Sequence, residues 1–241
     1  LAKRGSEAWR DTDLLVEGPS AQLALQGFAS NWRDLHGKFT ADETRRLFAA
    51  CPRYDENASV RFVQHRPEED GDDNTSRLLI HALNTATESV LLENAYFVPP
   101  KGLREALMNA ARRGVKVKIL TNGKESSDMR MVTPAGRFHY DDLLAAGVEI
   151  YEYKGSTLHA KTALFDDKYS IVGSMNLNGR SKYRDSESLF ATNDAGNALA
   201  LKQRFSEGIA SASQVTISSL ENDSFRQQLA QGFWRIFGRN L

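Results

Sequence analysis

VLLENAYFVPPKGLREALMNAARRGVKVKIL, residues 90–120, decides the fold class. Val90–Glu93 is a short apolar run with the look of a strand. Pro99-Pro100 breaks it, because proline lacks an N–H and restricts the residue before it. Lys101–Arg113 then places Leu103, Ala106, Leu107, Ala110 and Ala111 at helical spacing on one inward face. Gly114 stands where a helix commonly closes in a left-handed residue. Val115–Leu120 is a second strand, of the kind found in a sheet covered on both faces. A strand, a helix and a strand in succession make the class α/β.

The same alternation extends outward. Downstream lie a helix over Asp141–Ala146 stopped by Gly147, then a strand over Val148–Tyr153. His159–Phe165 and Tyr169–Val172 follow as strands around an Asp166-Asp167 turn, with helices near Ala195–Ile209 and Asp223–Phe237. Upstream lie a helix over Ser76–Thr87, an exposed loop over Pro67–Asn74 and a strand over Val60–Gln64. Further back, Cys51-Pro52 ends a helix over Ala41–Ala50. Ser20 is the expected cap of an amphipathic helix carrying Leu23, Leu25, Phe28 and Trp32. Asp13–Glu17 is a short strand candidate, stopped by Gly18-Pro19.

Bulk composition narrows the function. The 241 residues balance 31 Lys and Arg against 31 Asp and Glu, so a broadly basic nucleic-acid binder is not expected. Arg112, Arg113, Lys116 and Lys118 cluster, as a solvated helix end does; attraction of anionic headgroups or nucleic acid is the alternative. The lone Cys51 excludes an intrachain disulfide, and no Cys/His spacing forms a zinc site. The acidic run over Glu68–Asp73 lacks the ligand spacing of a calcium loop. No run of 18 or more apolar residues is present. Leu229, Phe233, Trp234, Ile236 and Phe237 form an aromatic stripe near the end, expected to pack on the body, with a membrane surface as the alternative.

The chemistry gathers at His159-Ala-Lys161, Asp166, Gly173-Ser174-Met175-Asn176 and Glu187. Residues two apart on a strand share a face, so His159 and Lys161 are expected to project together. A neutral imidazole can attack phosphorus or move a proton, and a nearby ammonium can hold a phosphoryl oxygen. Ser174 and Asn176, on the following turn, add hydrogen bonds; Glu187 can fix the imidazole tautomer. These parts suit phosphoryl transfer without a metal. His36, His65, His81 and His139 lack such company and are taken as structural.

One internal echo adds to this. Trp9-Arg10-Asp11-Thr12-Asp13-Leu14-Leu15-Val16 is similar to Tyr183-Arg184-Asp185-Ser186-Glu187-Ser188-Leu189-Phe190, and a helix follows each.

The string His159-x-Lys161-x4-Asp166-x6-Gly173-Ser174-x-Asn176 resembles the His-Lys-Asp signature of the phospholipase D superfamily. NAYFVPPKGLREALMNAARRGVKVKILTN and LLAAGVEIYEY resemble the second catalytic lobe of bacterial cardiolipin synthases, and the likeness runs from about Val60 onward. The resemblance implies an α/β lobe with a mixed sheet flanked by helices. It implies phosphatidyl transfer through a covalent phosphohistidine, with phospholipid hydrolysis or nuclease-type chemistry as the alternative. His159, Lys161, Asp166 and Glu187 are then the candidate catalytic set. In it His159 is the general acid and base, and Asp166 holds the turn. Lys161, Ser174 and Asn176 are the candidate phosphate binders. No cofactor or metal is implied, and no nucleic-acid partner is expected.

The first motif of the two-motif pattern is missing. Residues 1–57 are therefore expected to be a remnant of a pseudo-symmetric first lobe, with residues 58–241 as the second. Asp13 would be the first-lobe counterpart of Glu187. The expected partners are a phospholipid and either the missing half or a second copy. A catalytically incomplete, membrane-bound lobe is the alternative. The expected location is the bacterial inner membrane surface, with any anchor outside this chain.

Overall fold

The computed structural model describes residues 9–47, 60–67, 71–129 and 131–221. These residues build one mixed sheet. Its strands are β1 (Val60–His65), β2 (Ser89–Asn94), β3 (Lys116–Asn122), β4 (Glu149–Tyr153), β5 (Lys161–Phe165), β6 (Tyr169–Gly173), β7 (Glu187–Thr192) and β8 (Ala212–Gln214). They lie in the order β1-β7-β6-β5-β2-β3-β4-β8. β2, β3 and β4 run parallel, and every other pairing is antiparallel. The expected α/β lobe with helices around a mixed sheet is the observed one.

Side-chain alternation splits the core into two layers. Val90 and Leu92 of β2 and Val117 and Ile119 of β3 face helices α3 (Asn74–Thr85) and α4 (Lys101–Arg112). Leu83, Leu103, Leu107 and Ala110 cover them from those helices. On the other face Leu120, Leu158, Ala160 and Phe205 cluster under α8 (Ala195–Ala210). The N–H of Asn197 donates to the Asp194 carboxylate at 2.8 Å, so Asp194 caps α8.

Several boundaries differ from expectation. Asp13–Glu17 is not a strand: among the described residues, 11–17 join no ladder, and a strand without a partner has no hydrogen-bonding frame. Ser20 does not cap α1 (Pro19–Asp34): Gly18 takes the cap position at φ 85° and Pro19 starts the helix. The Ser20 hydroxyl donates instead to the Val60 carbonyl at 2.9 Å. Thr40 and Glu43 form a reciprocal capping box at α2 (Ala41–Leu47), with the Thr40 N–H donating to Glu43 at 2.8 Å. The sequence reading missed α5 (Val132–Arg137), whose Pro134 and Gly136 disguise it, and three short elements, α7 (Gly179–Tyr183), β8 and α9 (Ile217–Glu221). α6 (Tyr140–Ala145) stands where a helix was expected. The helix expected over Asp223–Phe237 lies outside the described residues, as do Cys51-Pro52 and the first half of the acidic run, residues 68–70. Among the described residues no helix is long and apolar enough to cross a membrane.

Candidate active site

The parallel strands β2 and β3 each end in a buried asparagine, and the two amides hold the loops that carry the motif. Asn122 Nδ2 donates to the carbonyl of Leu158 at 2.7 Å and to that of Ala95 at 3.0 Å, while its Oδ1 accepts from the Leu158 N–H at 2.9 Å. The residue before His159 is thereby clamped on both backbone groups. Asn94 Nδ2 donates to the Met175 carbonyl at 3.2 Å and Oδ1 accepts from the Leu177 N–H at 2.9 Å, which brackets Asn176. A buried amide so satisfied works as a surrogate peptide group where the ladder ends.

His159 lies just before β5. Its N–H donates to the Arg10 carbonyl at 2.7 Å, and the Arg10 N–H donates to the Thr157 carbonyl at 2.8 Å. Arg10 and Leu158 thus form an isolated parallel bridge. The next residue, Asp11, brings its carboxylate to 2.7 Å from His159 Nδ1. An ionised carboxylate only accepts, so Nδ1 carries the proton of this contact. Partial burial pushes the Asp11 carboxyl up. The His159 hydrogen bond, the Thr12 N–H and the charges of His159 and Lys161 outweigh that and hold it below its usual range. The Trp9 ring packs against the imidazole, centroid to centroid 4.8 Å.

Lys161 is nearly buried and its Nζ donates to the His159 carbonyl. Burial lowers its pKa, while the carboxylates of Asp11, Glu187 and Asp128 pull the other way. Asp128 in turn accepts from the Tyr96 hydroxyl, 2.8 Å and 3.0 Å to its two oxygens. Burial and this carboxylate raise the Tyr96 pKa.

The remaining candidates divide. Ser174 donates its hydroxyl proton to Glu187 and accepts from the Ser188 N–H at 3.0 Å, so both its roles are already occupied inside the protein. Burial raises the Glu187 carboxyl, against hydrogen bonds from Ser174 and Ser181. The expected hydrogen bond between Glu187 and His159 is not among its contacts. His65, cross-strand from Glu187, faces Thr75 through Nδ1 and the Ser181 carbonyl through Nε2 at 2.9 Å, the structural role expected of it. Asn176 Oδ1 is buried without a hydrogen-bond partner, beside the loop bracketed by Asn94. Asp13 is exposed, two residues past the carboxylate that meets His159.

Asp166 stands at the far end of β5 from Lys161. Its carboxylate accepts from the N–H groups of Thr87, Glu88 and Ser89 at 3.0, 2.7 and 3.0 Å, tying the β5–β6 turn to the start of β2. Desolvation raises its pKa, but those backbone donors and the Thr87 hydroxyl hold it below the usual range. Among the described residues no group of three or more His, Cys, Asp or Glu side chains is placed to hold a metal ion.

A family model described as "Cardiolipin synthase, PLD-like domain" matches residues 79–209. The chain belongs to this phospholipase-D-like family. Cardiolipin synthase B of Salmonella typhi is 37% identical over 182 residues, which cover 73% of this chain and 42% of that protein. Cardiolipin synthase A of Pseudomonas putida is 27% identical over 228 residues, covering 95% of this chain and 46% of the relative. The PLD-like chain thus spans less than half the length of these curated relatives. The fold is shared with a phospholipase D family member, Nuc from Salmonella typhimurium. That match has TM-score 0.55 at 19% identity and covers 65% of this chain and 97% of that one. Phosphatidylserine synthase from Haemophilus influenzae aligns with TM-score 0.59 at 18% identity, over 75% of this chain and 46% of its own.

Asp11, Asn94, Asn122 and Asp128 were not singled out from the sequence. The first of them lies in the echo, two residues before Asp13, the residue that stands opposite Glu187 in it. Nothing local marks the two asparagines, whose role depends on where two parallel strands end.

Proposed function

We propose that the chain is the second catalytic lobe of a phosphatidyltransferase most like a cardiolipin synthase, with residues 1–57 belonging to the first lobe. The observation that carries the reading is the Asp11 carboxylate on His159 Nδ1 at 2.7 Å, beside Lys161. With Nδ1 committed, Nε2 is the atom left for chemistry.

In this reading a second imidazole, from a first lobe or another copy, attacks the phosphorus of a phosphatidyl donor. A N–P bond forms and the P–O bond to the leaving alcohol breaks. His159, protonated at both nitrogens with Asp11 holding Nδ1–H, gives its Nε2 proton to that alcohol. It then takes a proton from the acceptor hydroxyl as the acceptor oxygen displaces histidine from phosphorus. Lys161 and Asn176 hold the phosphoryl oxygens. Ser174 acts indirectly, by fixing Glu187. The donor is a phospholipid such as phosphatidylglycerol at the bacterial inner membrane surface, where the chain sits peripherally. The names of its relatives and its evenly balanced charge support lipid over nucleic acid.

The test is lipid mass spectrometry on phosphatidylglycerol vesicles in EDTA, with the chain alone and with a separately made first-motif half of a related enzyme. His159→Ala runs beside each. Cardiolipin appearing with the added half and vanishing in His159→Ala supports the reading. Phosphatidic acid in place of cardiolipin means water is the acceptor. Product that persists in His159→Ala removes His159 from the chemistry.

A further inference from the structure

We infer that Arg10 is the positioning residue of this site: seated in a slot between β2, β4 and α8, it holds Asp11 against His159. The inference rests on reading His159 as the reacting imidazole, and it names what aims it.

Consecutive side chains of an extended segment point to opposite sides. Asp11 goes to His159, and Arg10 goes into the body of the lobe. There Nη1 donates to Glu93 Oε1 at 2.8 Å and Nη2 donates to the Arg204 carbonyl at 2.5 Å. The guanidinium carbon lies 5.6 Å from the centroid of the Tyr153 ring. Glu93 is 2% exposed, in the middle of the sheet on β2. A carboxylate so placed calls for a fixed, multiply bonded cation rather than a mobile one. Room for the guanidinium exists because position 208 has no side chain. A Cβ there would meet Arg10 Nη2 at 3.0 Å and Leu120 Cδ2 at 2.4 Å.

The slot matters to the site because it anchors the segment that carries Asp11. Among the described residues, 11–17 join no ladder, and the bridge at Arg10 is the last backbone bridge before α1. Among the described residues, the charged and titratable groups around the imidazole are few. Asp11 bonds Nδ1, and Lys161 lies on the His159 carbonyl under the influence of Glu187 and Asp128. Only Asp11 among them is delivered by the segment that Arg10 anchors.

The experiment is nitrogen-15 NMR of the His159 ring in the whole chain, above the range where the imidazole is charged. It compares the unmutated chain with Arg10→Met, Asp11→Ala, the double variant and Arg10→Lys. Backbone amide spectra report the fold. The unmutated ring is expected to be mainly the Nδ1–H tautomer. Arg10→Met is expected to turn it mainly to Nε2–H, as Asp11→Ala does, with no further change in the double variant and partial recovery in Arg10→Lys. A folded Arg10→Met that keeps the Nδ1–H tautomer while Asp11→Ala loses it overturns the role of Arg10 and leaves that of Asp11 standing. A tautomer unchanged by Asp11→Ala overturns both. Should Arg10→Met fail to fold, Glu93→Gln, which removes the charge but keeps an acceptor, gives the same readings in milder form.

Discussion

Residues 9–34 and 183–210 start from kindred sequence and end in helices of equal length, yet they are used in opposite ways. α1 and α8 are both 16 residues long. Glu187–Thr192 becomes β7, paired on both sides by β1 and β6, and α8 buries Ala198, Leu201, Phe205 and Gly208. Among the described residues, the matching segment 13–18 joins no strand, and α1 buries only Ala29. Leu25, Phe28 and Trp32 stand 44%, 58% and 45% exposed. Similar local sequence thus yields a strand and a core helix where a sheet receives them, and an extended strap and a half-covered helix where none does. What survives the difference is the approach to His159, where the strap supplies a carboxylate that the second region does not.

Chemistry should separate the two regions most. In the chain complemented by a first-motif half, His159→Ala is expected to lower transfer by about 10²–10⁴-fold. Asp11→Ala should fall toward the lower part of that range, and Asp13→Ala should leave the rate nearly unchanged. Equal losses at 11 and 13 would mean that the gapless echo is a better guide than the geometry. Stability comes next. Phe205→Ala in α8 should cost about 3–5 kcal/mol in urea denaturation, whereas Phe28→Ala in α1 should stay within about 0.5 kcal/mol. A comparable cost at Phe28 would show its face to be covered. Between these lies Asn122→Ala, which strips the Leu158 N–H and carbonyl of their partner and should cost about 1–3 kcal/mol.

The smallest expected effect concerns pH. The folded pKa of Asp166 is depressed, so its contribution to stability is present above the ordinary carboxylate range and is lost as pH falls through the folded value. The gap in Tm between the unmutated chain and Asp166→Asn should therefore be open near about pH 6 and close toward about pH 3. A gap that does not change with pH would assign the turn's stability to its backbone alone.

Much of the lobe was legible because its central unit has two clear periods. Leu103, Ala106, Leu107 and Ala110 mark α4 at helical spacing, and the strands on either side are bounded by Pro99-Pro100 and Gly114. Two short helices were not legible: Pro134 and Gly136 disguise α5, and α7 is too brief to show a period. The strand expected at Asp13–Glu17 failed for a different reason: propensity names a strand, and only a neighbour makes one. In the site, Lys161 reaches back to the His159 carbonyl, while Asp166 occupies the opposite end of β5. That spread follows from the strand itself, because about five residues at about 3.3 Å each carry the chain well away from Lys161. Arg10 and Glu93 were hidden because an ion pair across 83 positions leaves no local pattern.

The contact between Asp11 and His159 joins residues 148 apart in sequence. Closing so long a loop is slow compared with forming helices or hairpins, and the contact gains nothing until the groove that receives Arg10 exists. The sheet should thus mature first, and the imidazole should be set in its working tautomer only when the strap docks. A newly made chain would pass through a folded but chemically unready stage, and the appearance of reactivity would time the last event of folding.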